Sequence, residues 1–335
     1  MKVFVSIISF LFLCSNSFSN TAKLGFAGDL MMSYEMSDFL DNYGPYYPFT
    51  GTEKIFRNFD FFGVNLECPV SDIGLPLQNK SFYFRAPLYT VKGLNFAGID
   101  FVSLANNHIL DFGDEAFFKT IEILSNNMIK WAGAGKSAKE ANSYALFEIK
   151  GIKFAILSYN LVGPEIYFAS SNKLGTATCD EKSMRSSISN AKLVSDHVII
   201  FFHWGNEYSF SPAKEQIFFG HAAIDAGASA VIGCHSHVVQ PVEIYKDSVI
   251  VYSMGNYVFG SFGRPPDKTA DAGLIVELDF DEEKLKEVIL YPINVFNYEV
   301  KFNPVPLPND KAENLLKRIT DDTWDTSEGI RKKNF

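Results

Sequence analysis

Six residues of the types that bind metal ions each follow a short apolar run in this 335-residue sequence: Asp29, Glu67, Asn107, His203, His235 and His237. Carboxylates and an amide oxygen are hard ligands for divalent cations, and imidazoles are ligands of intermediate softness. A carboxylate shared between two ions can hold them close enough to clamp a phosphoryl group and activate a water that attacks it. The residue types therefore indicate a site for two divalent ions with hydrolytic chemistry.

Two segments indicate this chemistry even when each is taken alone. In "GCHSH", two histidines follow a predicted buried strand, and Gly233 allows the tight turn that lets both imidazoles reach one site. In "ANNHILDFG", Asn107 offers a ligand, His108 offers a proton donor, and Asp111 lies three residues further on to orient that imidazole. These two segments predict both metal ligands and a general acid.

The other three candidate ligands also fit structural roles. Asp29 in a "GD" pair suits a helix cap or a turn. Glu67 suits a buried ion pair or an exposed strand end, and His203 suits a hydrogen-bonded core histidine. Their assignment as ligands depends on whether the fold brings all the segments together.

The apolar runs, rich in Val, Ile and Phe, alternate with helical patterns, which is typical of an α/β fold. The predicted strands are "KLGFAG", "DFFGVNL", "DFVSLA", "YALFEI", "KFAILSY", "HVIIFF", "SAVIGC", "SVIVYS" and "GLIVELDF", and the predicted helices cover 114–127, 181–195, 212–226 and 310–319. So many strands favour two packed sheets flanked by helices over one open sheet. In such folds ligands bind at the carboxyl ends of the strands, where the polar residues above are found.

Charge and the N-terminal segment restrict the partners and the location. The formal net charge is -9 and the sequence contains no basic stripe, which argues against a nucleic-acid partner. The first 19 residues have one charge, Lys2, and then the apolar run "VFVSIISFLFL". This pattern predicts a secretory signal peptide, with an uncleaved membrane anchor as the alternative, and therefore an exported protein in the periplasm or outside the cell.

Taken together, the segments resemble the CapA family of poly-gamma-glutamate capsule synthesis, which is related to the calcineurin-like metallophosphoesterases. The resemblance covers about Lys23 to Phe259 and depends on the motifs "GFAGDLMMS", "NLECPVS", "GIDFVSLANNHILDFG", "FFHWGNEY", "DAGASAVIGCHSHVVQPVEIY" and "VYSMGNYVFG". It implies a four-layered α/β/β/α sandwich with a single main domain.

The resemblance also implies a role for each candidate. Glu67 would bridge two metal ions, which would be Mn, Fe or Zn. Asp29 and His237 would complete one metal site. The other site would be completed by Asn107, His203 and His235. His108 would donate a proton to the leaving group with the help of Asp111.

One position departs from the wider superfamily, which usually has a histidine two residues after the first aspartate, where this chain has Met31. The first metal site is therefore expected to lack one ligand. Three further residues are candidates for substrate contact, with surface or loop-stabilising roles as the alternative: Arg85, Tyr208 and Asn256.

We divide the chain into residues 1–19 (signal or anchor), 20–302 (the CapA-like domain) and 303–335 (a proline-containing linker and a C-terminal helix). The predicted function is an exported metal-dependent hydrolase that acts on a phosphate ester or an anionic envelope polymer. Membrane-bound capsule synthesis proteins are its expected partners. The alternative is a non-catalytic polymer-binding or assembly component. A zinc peptidase is disfavoured because the sequence lacks an "HExxH" motif.

Overall fold

A computed structural model describes residues 21–78, 80–260 and 271–335. The predicted signal or anchor, residues 1–19, lies outside the described residues. The strands are β1 (Ala22–Met31), β2 (Phe61–Leu66), β3 (Phe101–Ser103), β4 (Lys130–Ala132), β5 (Ala134–Gly135), β6 (Ala145–Ile149), β7 (Ile152–Asn160), β8 (Gly175–Thr176), β9 (His197–His203), β10 (Ala230–Cys234), β11 (Val242–Tyr245), β12 (Ser248–Val251), β13 (Asn256–Phe259), β14 (Ala272–Phe280), β15 (Leu285–Asn294), β16 (Val305–Pro306), β17 (Asp325–Ser327) and β18 (Ile330–Asn334).

The helices are α1 (Glu35–Tyr43), α2 (Glu53–Phe56), α3 (Thr90–Phe96), α4 (Gly113–Asn126), α5 (Ala138–Ala141), α6 (Glu181–Ala191), α7 (Lys214–Asp225), α8 (Asn297–Val300) and α9 (Asn309–Ile319), with short 3-10 turns at Tyr47–Thr52 and Glu165–Tyr167. In the described part of the chain, no helix is both long enough and apolar enough to span a bilayer. Each predicted strand and helix overlaps an observed one.

Two mixed sheets form the centre of the fold. The ten-stranded sheet has the order β17-β18-β15-β14-β1-β2-β3-β4, with β13 paired to β1 and β16 to β15. The six-stranded sheet has the order β11-β12-β10-β9-β7-β6. Within them, β1-β2-β3-β4 and β7-β9-β10-β12 are parallel, so the carboxyl ends of each set lie at one edge of its sheet.

The side chains of β9 show how the layers are held together. Ile199 and Phe201 belong to the apolar cluster between the two sheets, whereas Ile200 and Phe202 belong to the cluster under α6 and α7. This alternation follows from the period of two in a strand whose faces are both covered. On the far side of the ten-stranded sheet, a third cluster includes α1 and α4 residues. The layers run helix, sheet, sheet, helix, which confirms the predicted four-layered sandwich.

The C-terminal region contains more structure than the predicted linker and helix. After α9 the chain returns to the large sheet, where β18 pairs antiparallel with β15 and β17 pairs with β18. Neither C-terminal strand was among the predicted strands, because "DTS" and "IRKKN" are polar and lack the apolar pattern of a predicted strand. The strand prediction was also incomplete at β15, which contributes Val288 and Leu290 to the cluster between the sheets.

Candidate metal centre

The carboxyl ends of the central strands bring the candidate ligands together from both sheets. Asp29 lies near the end of β1, and Glu67 follows β2 directly. In the second sheet, His203 ends β9, and His235 and His237 follow β10. All five residues are more than nine-tenths buried. The convergence that the sequence required is therefore present in the structure.

Glu67 occupies the middle of this arrangement. Its carboxylate lies with His203 and His235 in one group whose potential ligand atoms are all within 4.8 Å of one another. It lies with Asp29 and His237 in a second group of the same compactness. A carboxylate common to two such groups has the position of a bridging ligand.

Two buried atoms of the centre have no hydrogen-bond partner among the described residues: Glu67 Oε1 and His235 Nδ1. Buried polar atoms are nearly always paired, because an unpaired one keeps the full cost of losing water. Both atoms are of types that ligate divalent cations. These two unpaired atoms, together with the grouped donors, therefore fit metal binding.

Burial and charge set the protonation of the ligands. Burial alone would raise the pKa of Asp29, but the hydrogen bond and charge of His237 outweigh it and the pKa is lowered. His237 Nδ1 lies 3.3 Å from Asp29 Oδ2. Burial, and next the charge of Asp29, raise the pKa of Glu67 well above its ordinary value. Because these carboxylates lie close together, a positive charge bound beside them would stabilise their charged forms.

His235, the first histidine after β10, is held in the neutral form that binds metals. Burial, and next the neighbouring His237, lower the pKa of His235 to about 3. A neutral imidazole is the form that binds a metal ion, so no proton must be displaced from His235 near neutral pH.

The backbone around the centre adopts conformations that side chains usually avoid. His235 and His237 have φ values of 92° and 58°, and Tyr208 has a φ of 60°. Such conformations persist where the surrounding structure enforces them, often at functional sites. Gly28 meets a different constraint, since a Cβ there would lie 1.8 Å from the Gly255 carbonyl oxygen. This close approach explains the glycine of the "GD" pair.

Asn65 is a residue of the centre that the sequence reasoning missed. Its amide nitrogen donates to Asp29 Oδ1 at 2.8 Å and lies 3.3 Å from Glu67 Oε2. Its own oxygen accepts from Asn106 at 3.0 Å. Asn65 therefore fixes the orientation of both carboxylates. The available signal was a polar residue within the apolar run of β2, all of which is buried.

The segment after β3 contributes one candidate ligand and the candidate acid. Asn107 Oδ1 lies 2.9 Å from His203 Nε2. His108 Nδ1 lies 2.7 Å from Asp111 Oδ2, and the ring of Phe84 packs on the imidazole with centroids 4.1 Å apart. Burial lowers the pKa of His108, and Asp111 opposes this effect. The structure thus joins His108 to Asp111 and places Asn107 against His203.

The three candidates for substrate contact have different surroundings. Asn256 Oδ1 lies 2.9 Å from His237 Nδ1, which gives Asn256 a role in holding that imidazole. The Tyr208 ring lies 5.8 Å from the His237 ring, at the margin of the centre. The Arg85 guanidinium contacts the Phe112 ring and the Gly74 carbonyl. These contacts do not connect Arg85 to the ligand groups.

Lys80 is a second residue that the sequence reasoning missed. Its ammonium contacts the Asn107 carbonyl oxygen and Asp111 Oδ1, and lies 3.2 Å from His108 Nδ1. No periodicity marks it, because it belongs to an irregular segment between β2 and α3.

The fold and these grouped donors define a sandwich protein with a candidate two-metal centre. A family model described as "Bacterial capsule synthesis protein PGA_cap" matches residues 23–261. The chain belongs to this family, which confirms the family resemblance found in the sequence motifs.

Curated relatives agree with this assignment, and a solved structure shares the fold. The chain is 28% identical to the capsule biosynthesis protein CapA of Bacillus anthracis, over 88% of this chain and 72% of the relative. It is 28% identical to the PGA biosynthesis protein CapA of Bacillus subtilis (strain 168), over 91% of this chain and 80% of the relative. A hypothetical protein from Thermus thermophilus shares the fold with a TM-score of 0.50 at 18% identity, over 82% of this chain and 99% of that one.

Proposed function

We propose that this protein is an exported metal-dependent hydrolase of the phosphoesterase type that acts in the synthesis of a capsule or envelope polymer such as poly-gamma-glutamate. The observation that carries the proposal is the position of Glu67, which is common to two groups of buried donors and has an oxygen without a hydrogen-bond partner among the described residues. The capsule setting is supported by the family and by the names of the Bacillus relatives.

The proposed ligands divide into two sets around Glu67, one with Asp29 and His237 and the other with Asn107, His203 and His235. Divalent ions bound there, Mn, Fe or Zn, would supply Lewis-acid polarisation of a phosphoryl group and an acidified water. Asn65 and Asn256 keep the ligands oriented through the hydrogen bonds described above.

His108 is the proposed general acid. The oxygen of a water forms a new bond to phosphorus and the water loses a proton to solvent, from which His108 is later reprotonated. The bond from phosphorus to the leaving oxygen breaks with its electron pair remaining on that oxygen. His108 Nε2 gives a proton to this oxygen while Nδ1 stays hydrogen-bonded to Asp111. The Phe84 ring covers one face of the imidazole and keeps water from that face.

A second function, non-catalytic binding or export of an anionic polymer, is favoured by one observation. Met31, at the position where related phosphoesterases have a histidine, is fully buried and belongs to the apolar cluster beneath the helices. One metal site thus has fewer ligands than the wider superfamily provides. In either function the proposed partners are a phosphate ester or an anionic polymer and membrane-bound capsule proteins, in the periplasm or outside the cell.

Elemental analysis of the protein purified without chelator tests the proposal. We expect about two metal ions per chain in the wild type, a large loss in His235→Ala, and no loss in His221→Ala, which changes a histidine on α7 outside the candidate centre. Hydrolysis of phosphate esters would then be measured with the identified metal. A protein that keeps no metal after incubation with manganese, zinc or iron would support the polymer-binding function.

A further inference from the structure

The ammonium of Lys80 gathers three groups from one short segment. It contacts the carbonyl oxygen of Asn107 and Oδ1 of Asp111, and it lies 3.2 Å from His108 Nδ1. Its side chain is only 13% exposed. A lysine ammonium has three hydrogen-bond donors and is usually hydrated at the protein surface. A largely buried lysine whose ammonium contacts these groups is therefore unusual.

The buried carboxylate of Asp111 explains why a cation is needed there. Asp111 is fully buried, and its Oδ2 is 2.7 Å from both His108 Nδ1 and the Phe84 backbone nitrogen. Its other oxygen, Oδ1, is held by Lys80. An uncompensated buried charge is costly, so removal of one partner disturbs the remaining contacts.

The contacts also fix an orientation. With Oδ1 held by Lys80 and Oδ2 held by the Phe84 nitrogen, the plane of the Asp111 carboxylate is set, and Oδ2 is directed to His108 Nδ1. Because Nδ1 is occupied in this way, Nε2 is the nitrogen left for chemistry. The Tyr167 ring, 5.0 Å from the ammonium, packs against Lys80.

We propose that Lys80 is a positioning residue that orients the Asp111 carboxylate, and through it the His108 imidazole, for proton donation to the leaving group. The proposal rests on the proposed phosphoesterase function. It adds a residue that acts through Asp111 and does not itself contact the reacting atoms.

Kinetics with two substrates test the role. Departure of 4-nitrophenolate needs little protonation, whereas departure of the alkoxide from glycerol 2-phosphate needs a proton. For manganese-loaded Lys80→Met we expect turnover of the alkyl ester to fall on the order of tenfold or more, with turnover of the 4-nitrophenyl ester nearly unchanged. Lys119→Met on α4, a partly buried lysine paired with Glu122, is the control and should change neither rate.

The dependence on His108 distinguishes positioning from general damage. His108→Ala should also lower turnover of the alkyl ester much more than turnover of the 4-nitrophenyl ester. Adding Lys80→Met to His108→Ala should change turnover of the alkyl ester by less than about twofold, because the effects of residues that act as a unit are not additive. Equal losses for both esters, or multiplied losses in the double variant, would overturn the positioning role. Lys80→Gln, which keeps a donor without the charge, is the second variant if Lys80→Met does not fold.

A spectroscopic measurement separates this inference from the proposed function. In nitrogen-15 spectra of histidine-labelled protein, Lys80→Met should shift the ring signals of His108 and leave those of His221 in place. If the His108 signals shift but the protein hydrolyses no ester, the contact from Lys80 through Asp111 to His108 is supported and the phosphoesterase function is refuted. Unchanged His108 signals together with wild-type kinetics would refute the role of Lys80 alone.

Discussion

Two pairs of buried carboxylates in the same sheet have different neighbours that offset the cost of burying their charge. Asp29 and Glu67 lie at the carboxyl ends of β1 and β2, and Glu277 and Asp279 lie two residues apart on β14. In the second pair, Glu277 accepts from Lys23 Nζ at 2.9 Å and from the Tyr291 hydroxyl at 2.6 Å. Its charge is therefore balanced by a lysine of the neighbouring strand, and a tyrosine hydroxyl donates a further hydrogen bond to it.

The first pair is surrounded by histidines, such as His237, whose Nδ1 lies 3.3 Å from Asp29 Oδ2. Within the described residues, the groups of donors close enough to hold a metal all lie at this pair. The comparison shows that burial of acids does not identify a metal site. The informative features are clustered imidazoles, a shared carboxylate and donor atoms without partners among the described residues.

The largest difference between the pairs should appear when one acid in each is neutralised. Glu67→Gln should remove nearly all bound metal and all metal-dependent hydrolysis, because Glu67 is common to the groups of both proposed metal sites. Glu277→Gln should leave the metal content unchanged. Elemental analysis and turnover of 4-nitrophenyl phosphate measure both effects. Full metal content in Glu67→Gln would refute the bridging assignment.

Unfolding in the absence of metal sharpens this contrast, because the two substitutions should then act in opposite directions. Glu67→Gln removes a carboxylate whose pKa is raised by burial and by Asp29, so it should raise the free energy of unfolding. Glu277→Gln weakens two hydrogen bonds to a charged group and should lower it by about 1–3 kcal/mol. Urea unfolding with chelator present gives both values, and a change of the same sign in both variants would contradict the distinction.

Metal addition should raise the free energy of unfolding by a similar amount, and it should act through the first pair only. Saturating manganese at about 100 times its dissociation constant would raise the free energy of unfolding of the wild type by about 2.7 kcal/mol. The same addition to Glu67→Gln should have little effect. Thermal unfolding with and without manganese checks this, and equal stabilisation of both proteins would place the binding elsewhere.

The sequence was most informative where chemistry depends on regular structure. Ligands bind at the carboxyl ends of strands in α/β folds, so Asp29, Glu67 and His203, which each follow an apolar run, could be placed at one site before the sheet that each strand joins was known. Asn65 and Lys80 could not be placed in this way. Asn65 acts through hydrogen bonds across strands, and Lys80 lies in an irregular segment 27 to 31 residues before the groups that it contacts.

The fold shows the same division. Buried strands such as β9 were predicted because both faces are apolar, which makes a continuous hydrophobic run. The C-terminal strand β18 was not, because its pairing with β15 depends on backbone hydrogen bonds and not on apolar side chains. Polar strands of this kind are determined by the sheet that they join, because their local sequence has no apolar pattern.

The smallest predicted effect concerns Asp279, which differs from Glu277 in lacking a close donor for Oδ1 among the described residues. Burial, and next the charge of Glu277, raise the pKa of Asp279 from 3.8 to about 7. The native protein thus holds this proton more tightly than the unfolded chain does. The resulting stability is complete below the unfolded pKa and is lost as the pH rises through about 7.

Asp279→Asn should therefore raise the free energy of unfolding relative to the wild type by about 1–2 kcal/mol more near pH 8 than near pH 5. Differences between variant and wild type at each pH cancel the titration of groups that are far from Asp279, including those of the candidate metal centre. Asp322→Asn, at an exposed position, serves as the control and should show no such dependence. An opposite trend in Asp279→Asn would mean that Lys23, 3.7 Å from Asp279 Oδ2, keeps this carboxylate charged. Both acids of the second pair would then lie beside one lysine, whereas the acids of the candidate metal centre lie beside histidines.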